Sequence, residues 1–222
     1  MIQIRGVILD VDGTLVDSND AHARSWVEAM AEFGYKVAFE KVRPLIGMGG
    51  DKVLPETIHL HKDSETGSQV SKRRDDIFKQ RYLPHVRAFP GAKELLQEMR
   101  GRGLKLAVAS SAKPDELKSL LRLVGGEDLV EEKTSSKDVK RSKPDPDVMR
   151  VTLERTGLDA NEALMLGDTA YDIEAARKAH VQTIAFRCGG WKDSDLAGAL
   201  AIYDGPADLL AHYDESPLYY KE

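Results

Sequence analysis

Short apolar runs alternate with amphipathic stretches along most of the chain, and this alternation predicts strands and helices in turn. A short apolar run bounded by turn residues is typical of a buried strand, whereas apolar residues three and four apart are typical of a helix with one buried face. Strands are predicted at residues 4–9, 104–109, near Leu129, and at 163–166, 182–186 and 200–203. Helices are predicted to begin near Pro90, Pro114, Pro146 and Ala170. This order favours an α/β fold, a doubly wound parallel sheet with helices on both faces.

Residues 17–87 interrupt the alternation, because their apolar spacing predicts helices and no convincing strand. The first of these helices carries Trp26 and Met30 on one face, and further helices are predicted near residues 52–61 and 68–83. Suitable N-cap residues at its start are Asp17, Ser18 and Asn19. The last helix is predicted to turn one charged run to solvent, Lys72-Arg73-Arg74.

These patterns predict two domains. The α/β core is expected to comprise residues 1–16 and 88–222, with residues 17–87 inserted as an all-helical domain. We expect the glycine-rich segment 47–50 of the insert to reach over a site in the core, although a turn between helices explains its glycines equally well.

Two acidic residues end the first predicted strand. Because alternate side chains of a strand share a face, Asp10 and Asp12 can point into one small volume, and Gly13 lets the chain turn away. Close carboxylates repel one another unless a cation or a proton relieves them, and Mg²⁺ prefers such oxygen ligands. A surface Asp-Gly turn is the alternative. An EF-hand calcium loop is excluded, since it requires Gly and Glu where Leu15 and Ala21 stand.

Polar residues also follow other predicted strands. Ser110 and Ser111 follow the second strand, and Asp168 follows the fourth, with Asp172 one helical turn later. Lys143 lies in a loop before a proline, which keeps it out of a helix. Each residue alone has an ordinary explanation, such as a strand end, a surface lysine, a helix cap or a first-turn acid. Because parallel strands share one carboxyl edge, the whole set predicts a single site there.

These segments together resemble the four ordered motifs of the haloacid dehalogenase superfamily. The segments that carry the resemblance are Asp10-Val-Asp12-Gly-Thr14, Ser110, Lys143-Pro-Asp-Pro and Gly167-Asp168-Thr-Ala-Tyr-Asp172. The resemblance covers nearly the whole core. The helical insert is similar to the cap that follows the first motif in that family.

The resemblance implies roles for the polar residues. Asp10 would be the nucleophile that forms an aspartyl-phosphate, and Asp12 would be the general acid and base. Ser110 would bind phosphoryl oxygens, and Lys143 would bridge the nucleophile and the phosphate. Further phosphate contacts are implied for the backbone N–H groups of Gly13, Thr14 and Ser111.

The resemblance also implies a Mg²⁺ site and a phosphatase. Asp10, Asp168 and the main-chain carbonyl of Asp12 would hold the ion, and Asp172 would support it. Asp12 favours phosphate-ester chemistry over two other branches of the family, because the true haloacid dehalogenases carry an aromatic residue at this position and the phosphonate-cleaving branch carries a small one.

A sugar-phosphate mutase similar to β-phosphoglucomutase is the alternative within the family. His22 stands where that relative has a histidine, and it is a candidate substrate contact or a hinge hydrogen bond. Gly50 stands where the relative has a phosphate-binding arginine. Arg43 or Lys52 could replace that cation, so the alternative stays open.

Composition narrows the class of protein further. The chain has 222 residues with a net charge of −5, so it lacks the basic surplus that nucleic-acid binding requires. The single cysteine, Cys188, cannot form an internal disulfide, and no apolar run reaches the roughly 18 residues of a membrane helix. We therefore expect a cytoplasmic enzyme whose partner is a small-molecule phosphate ester, with no nucleic acid and no membrane. The substrate's identity, the choice between monomer and homodimer, and a non-catalytic phosphate-binding role stay open.

Overall fold

The computed structural model describes residues 3–219, which form eight strands and nine α-helices. The strands are β1 (Gly6–Leu9), β2 (Val16–Asp17), β3 (Arg87–Ala88), β4 (Lys105–Ala109), β5 (Glu132–Thr134), β6 (Ala163–Gly167), β7 (Gln182–Phe186) and β8 (Ala201–Tyr203). The helices are α1 (Asn19–Glu32), α2 (Phe39–Val42), α3 (Gly50–Ile58), α4 (Glu65–Ile77), α5 (Ala92–Gly101), α6 (Pro114–Val124), α7 (Asp147–Thr156), α8 (Ala170–Lys178) and α9 (Pro206–Ala211). Helix α4 continues into a π-helical turn, Phe78–Tyr82.

Six strands form one parallel sheet in the order β5-β4-β1-β6-β7-β8. Strand β1 lies in the middle, where Leu9 pairs with Val108 on one side and Leu166 on the other. The carboxyl ends of β1, β4 and β6 are therefore neighbours, as the sequence predicts. The predicted α/β fold class is confirmed.

The central strand is fully buried because helices cover both faces of the sheet. Val7, Ile8 and Leu9 have no exposed surface. Val7 and Leu9 belong to the apolar cluster on one face, and Ile8 belongs to the cluster on the other, as the alternation of a strand requires. A strand held this firmly fixes the direction in which the residues after Leu9 leave the sheet.

The predicted helical insert is also observed. Helices α1, α3 and α4 pack around their own apolar cluster, which includes Trp26, Met30, Leu54 and Ile77. The short strands β2 and β3 pair antiparallel where the chain enters and leaves this cap. The boundaries at residues 16/17 and 87/88 stay a prediction, and residues 1–2 and 220–222 of the predicted core lie outside the described part of the chain.

One predicted strand is wrong in position. The segment near Leu129 is not a strand, and β5 begins three residues later at Glu132. Leu129 and Val130 pack into the main apolar cluster, which accounts for the apolar signal. Strand β5, at the edge of the sheet, is mostly polar, so its sequence contains no apolar run that would predict a strand. Within residues 3–219, no helix is long and apolar enough to cross a membrane.

Candidate active site

Lys143 lies between two carboxylates at the carboxyl edge of the sheet. Its Nζ atom donates to Oδ1 of Asp10 over 2.5 Å and to Oδ1 of Asp172 over 2.6 Å. The lysine is 1% exposed. Burial alone would lower the pKa of Lys143, but the two carboxylates outweigh this and hold it above its usual value. Lys143 is therefore a fixed cation directly beside the predicted nucleophile.

Asp168 completes the acidic group from the end of β6. Its carboxylate accepts hydrogen bonds from the Thr14 hydroxyl over 3.1 Å and from Nδ2 of Asn19 over 2.8 Å. The same hydroxyl lies 3.2 Å from Oδ2 of Asp10, so its single proton is shared between the two carboxylates. The sequence offers Asp168 as a possible helix cap, but Thr169 is the N-cap of α8. Asn19, which we considered only as a helix-capping residue, instead holds the side chain of Asp168.

These carboxylates suit a divalent cation. One oxygen from each of Asp10, Asp168 and Asp172 lies within 4.8 Å of the other two. Burial raises the pKa of Asp168 to about 7, and nearby Asp172 adds to the effect. Burial also raises the pKa of Asp10 well above its usual value, against the opposing effect of Lys143. Three buried carboxylates around one ammonium thus leave negative charge that a bound cation would balance, and the donor set fits hard ions such as Mg²⁺.

Asp12 points away from this acidic group. Its Oδ1 atom accepts from the Ser18 hydroxyl over 2.5 Å and contacts Nε2 of His22 at 2.6 Å. Burial would raise the pKa of Asp12, but His22, Ser18 and the nearby Arg74 together bring it below its usual value. Ser18 immediately precedes α1, but its side chain does not cap the helix because its hydroxyl donates to Asp12. The Asp12 side chain is absent from the carboxylate group above, so only its main-chain carbonyl stays a candidate metal ligand.

His22 is held on both sides of its ring. Its Nδ1 atom contacts the Arg74 guanidinium, and the ring stacks on Phe78 at a centroid distance of 4.1 Å. Arg74 always donates, so Nδ1 accepts and Nε2 carries the proton that binds Asp12. His22 thus makes the hydrogen bond at the hinge, and its role as a substrate contact stays a prediction.

Sequence patterns did not indicate that Arg74 contributes to the site. The prediction that residues 72–74 face solvent is wrong for this residue, whose side chain is 12% exposed. Its NH1 atom lies 3.1 Å from the buried carboxylate of Glu116, at the start of α6 in the core. A charged run on a polar helix gives no sign of a partner in another domain, and only the three-dimensional fold brings the two together.

Two backbone N–H groups near Asp10 are paired within the chain. The N–H of Gly13 donates to Val16 over 2.8 Å, and that of Thr14 donates to Val11 over 3.3 Å. These two groups therefore close the turn after β1 in this structure, and their contact with phosphate stays a prediction. Within residues 3–219, the N–H groups of Asp12 and Ser111 have no acceptor, so these two are also candidates.

A cavity of about 540 Å³ opens over these groups, between the core and the cap. Ser110 and Ser111 line it from the end of β4, and Ser110 is 1% exposed. The predicted segment 47–50 lines it from the cap. This segment contacts the core, since the Ser111 hydroxyl donates to the carbonyl of Gly47 over 3.4 Å.

The match to a known family decides the family of the chain. A family model described as haloacid dehalogenase-like hydrolase matches residues 7–186. The chain is a haloacid dehalogenase-like hydrolase. The phosphoglycolate phosphatase of Yersinia pestis is 31% identical over 95% of this hydrolase and 90% of that protein. The phosphoglycolate phosphatase of Rhodospirillum rubrum is 28% identical over 92% of this chain and 89% of its own.

Solved structures agree with the family. A hydrolase from Pseudomonas syringae has a TM-score of 0.87 at 31% identity, over 95% of this chain and 98% of that one. A β-phosphoglucomutase from Clostridium difficile has a TM-score of 0.82 at 17% identity, over 96% of both chains, and shares the fold. The predicted family and enzyme class, a phosphoric monoester hydrolase, are confirmed.

Proposed function

We propose that this hydrolase is a Mg²⁺-dependent phosphatase of a small phosphorylated metabolite, acting through an aspartyl-phosphate on Asp10. The observation that carries the proposal is the pairing of the Asp10 carboxylate, which lines the cavity, with the buried ammonium of Lys143. A phosphate that enters the cavity would meet a nucleophile that has a fixed cation bound to it. The named relatives are phosphatases, which supports the same reaction.

The metal would be held by Asp10, Asp168 and the carbonyl of Asp12, with Asp172 beside them. A bound Mg²⁺ would keep Asp10 ionised and balance the charge of the phosphoryl oxygens. Thr14 and Asn19 would orient the carboxylates, since each donates to Asp168. Lys143 would offset the repulsion between the carboxylate of Asp10 and the incoming phosphate.

In the first step, a carboxylate oxygen of Asp10 attacks phosphorus and the ester P–O bond breaks. The departing oxygen takes a proton from Asp12, which leaves Asp12 as a carboxylate. The pKa of Asp12 lies below its usual value without substrate, so the acid form needs the bound phosphate, whose negative charge favours protonation of a neighbouring carboxyl group. His22 and Ser18 hold one oxygen of Asp12 in place for this transfer.

In the second step, Asp12 takes a proton from water as the water oxygen attacks phosphorus. The bond between phosphorus and Asp10 breaks, inorganic phosphate forms and the Asp10 carboxylate returns. Here the hydrogen bonds from His22 and Ser18 favour the ionised form of Asp12 that a base requires. The N–H groups of Asp12 and Ser111, together with Ser110, are the proposed contacts to the phosphoryl oxygens.

The three cap positions considered for a second phosphate do not favour the mutase alternative, although Lys62 and Lys72 of the cap also line the cavity. A Cβ atom at Gly50 would lie 3.1 Å from the Trp26 ring, so a long cationic side chain has little room there. Arg43 is occupied by Asp20 and by the carbonyl of Gly189, and Lys52 is paired with Asp145. None of these three positions offers a spare cation for a second phosphate.

Phosphate release from a panel of phosphorylated metabolites tests the proposal. The panel would contain phosphoglycolate, hexose, pentose and polyol phosphates and nucleotides, with sugar-phosphate isomers measured in parallel. We expect release that both EDTA and the Asp10→Asn substitution abolish. Isomer formation with little free phosphate would instead establish the mutase, and intact phosphate binding without turnover would establish a non-catalytic protein.

A further inference from the structure

The loop that carries Lys143 is held by the cap. Ser142 accepts a hydrogen bond at Oγ from the N–H of Gly49 over 3.0 Å, and its own N–H donates to Oδ2 of Asp51 over 3.1 Å. On the other side of the lysine, Asp145 accepts from Nζ of Lys52 over 2.7 Å. We call Gly49, Asp51 and Lys52, at the start of α3, the cap bracket.

The two hydrogen bonds between the cap bracket and Ser142 are close-fitting, and the one from Gly49 is buried while the one to Asp51 is partly buried. Ser142 is 7% exposed. A Cβ atom at Gly49 would lie 2.9 Å from Cβ of Ser142 and 2.7 Å from Oδ1 of Asp51, so only glycine permits this approach. Asp51 lies in the first turn of α3, where the helix dipole favours its negative charge. The contact therefore fixes the backbone immediately before Lys143.

Residues of the core also contact the loop that carries Lys143. Lys178 donates to the carbonyl of Pro144 over 3.1 Å, and Arg141 lies 3.3 Å from Asp145 with 58% of its side chain exposed. An exposed ion pair of this kind contributes little. The buried contacts to Ser142 thus come from the cap, although Lys143 itself acts in the core.

We propose that Asp51 and Lys52 are positioning residues that hold Lys143 between Asp10 and Asp172, so that docking of the cap completes the phosphate site. The inference rests on the proposed function, since it concerns the same lysine. It also narrows the substrate class to phosphate esters whose leaving group fits beneath a docked cap. A bulkier leaving group that keeps the cap from docking would misplace Lys143 and so lower kcat, because the lysine serves the transition state.

Chemical labelling of Lys143 tests the inference without any substrate. The wild type and the variants Lys52→Met, Asp51→Ala, Lys52→Arg and Lys36→Met would be treated with an amine-acylating reagent, and the labelling rate of Lys143 followed by peptide mass spectrometry. We expect Lys143 to label about tenfold faster in Lys52→Met and Asp51→Ala, since each loses one contact that holds the loop around Lys143. Lys36→Met, which removes an exposed cap lysine, and Lys52→Arg, which keeps the ion pair, should label as the wild type does.

Steady-state kinetics on the best substrate of the panel gives the second readout. We expect Lys52→Met and Asp51→Ala to lower kcat roughly 10- to 100-fold with little change in KM, since a small displacement of a catalytic group has effects of that order. Adding Asp145→Asn to Lys52→Met should cost nothing more, because the pair is already broken. Unchanged labelling together with unchanged kcat would overturn the inference. If the wild type hydrolysed no phosphate ester, the proposed function would fail, while the labelling result would still decide the role of the cap bracket.

Discussion

Nδ2 of Asn19 donates a hydrogen bond to Oδ2 of Asp168 over 2.8 Å, which ties the first turn of the cap to the buried acidic group at the carboxyl edge of the core. The same amide group donates to the carbonyl of Gly189 over 3.1 Å, so its orientation is fixed from two sides. Both residues are buried. Asn19 thus orients Asp168 and is too far along the chain to be linked to it by any local pattern.

We predict that Asn19→Ala weakens Mg²⁺ binding roughly 10- to 100-fold, the usual effect of removing a partner that orients a metal ligand. Isothermal titration of the metal-free protein with Mg²⁺ measures this. Asn161→Ala, an exposed asparagine near the start of β6, is the matched control and should bind as the wild type does. Equal affinity in the two variants would remove Asn19 from the support of the site.

The pKa of Asp168, about 7, predicts that Mg²⁺ and protons compete for this carboxylate. Because the folded-state pKa is raised, the protonated form stabilises the metal-free protein at low pH, and this contribution is lost as the pH rises through about 7. We therefore expect Mg²⁺ affinity to be about tenfold weaker at pH 6 than at pH 8. Asp168→Ala should raise the Mg²⁺ requirement sharply and flatten this pH dependence. An affinity that does not change with pH would contradict the assignment.

Arg74 and Glu116 form an ion pair between cap and core that affects both stability and activity. Arg74→Met leaves the buried Glu116 carboxylate without this partner, so we expect a loss of about 3 kcal/mol in the free energy of unfolding. The double variant Arg74→Met/Glu116→Gln should recover most of that stability. It should still have a kcat reduced about tenfold, because His22 no longer holds Asp12 as firmly.

Denaturant unfolding and steady-state kinetics of the two variants separate these effects. Arg73→Met is the control, since the neighbouring Arg73 pairs with Glu32 on the cap surface and should matter little for either measurement. Full recovery of kcat in the double variant would mean that Arg74 serves stability alone.

Both the backbone conformation and the lack of space for a Cβ atom require glycine at position 13. It has a φ of +80°, and a Cβ atom there would lie 2.2 Å from Oδ2 of Asp168. Gly34 has a φ of +86° with no atom within 4 Å of that position, so Gly34→Ala carries the conformational cost alone, about 1 kcal/mol. We predict that Gly13→Ala is clearly more destabilising in denaturant unfolding and also weakens Mg²⁺ binding. Equal effects of the two substitutions would contradict the close packing on Asp168.

The sequence was sufficient for the fold and for the grouping of Asp10, Asp168 and Asp172, but the side chain of Asp12 does not join that group as its spacing from Asp10 suggested. Apolar runs defined the central strands, and the residues after them had to meet at one edge of a parallel sheet. It failed at β5, because an edge strand carries little apolar signal. It also did not show that the N–H groups of Gly13 and Thr14 close the turn after β1, because that depends on backbone geometry which the two residue types do not reveal.

The contacts between cap and core could not be predicted in the same way. Arg74 and Asn19 each belong to a helix whose own pattern explains them fully, as a solvated charge and as a capping residue. Their partners, Glu116 and Asp168, lie in another domain. A single sequence contains no periodic signal for such pairs.

Phosphorylation of Asp10 during turnover is tested most directly by rapid acid quenching of the enzyme with Mg²⁺ and its best substrate, followed by peptide mapping for an added phosphoryl group. We expect the group on Asp10 in the wild type, and no phosphorylated peptide in Asp10→Asn, which should fold normally but release no phosphate. A phosphoryl group on any other residue, or near wild-type turnover by Asp10→Asn, would contradict the role of Asp10 as the nucleophile.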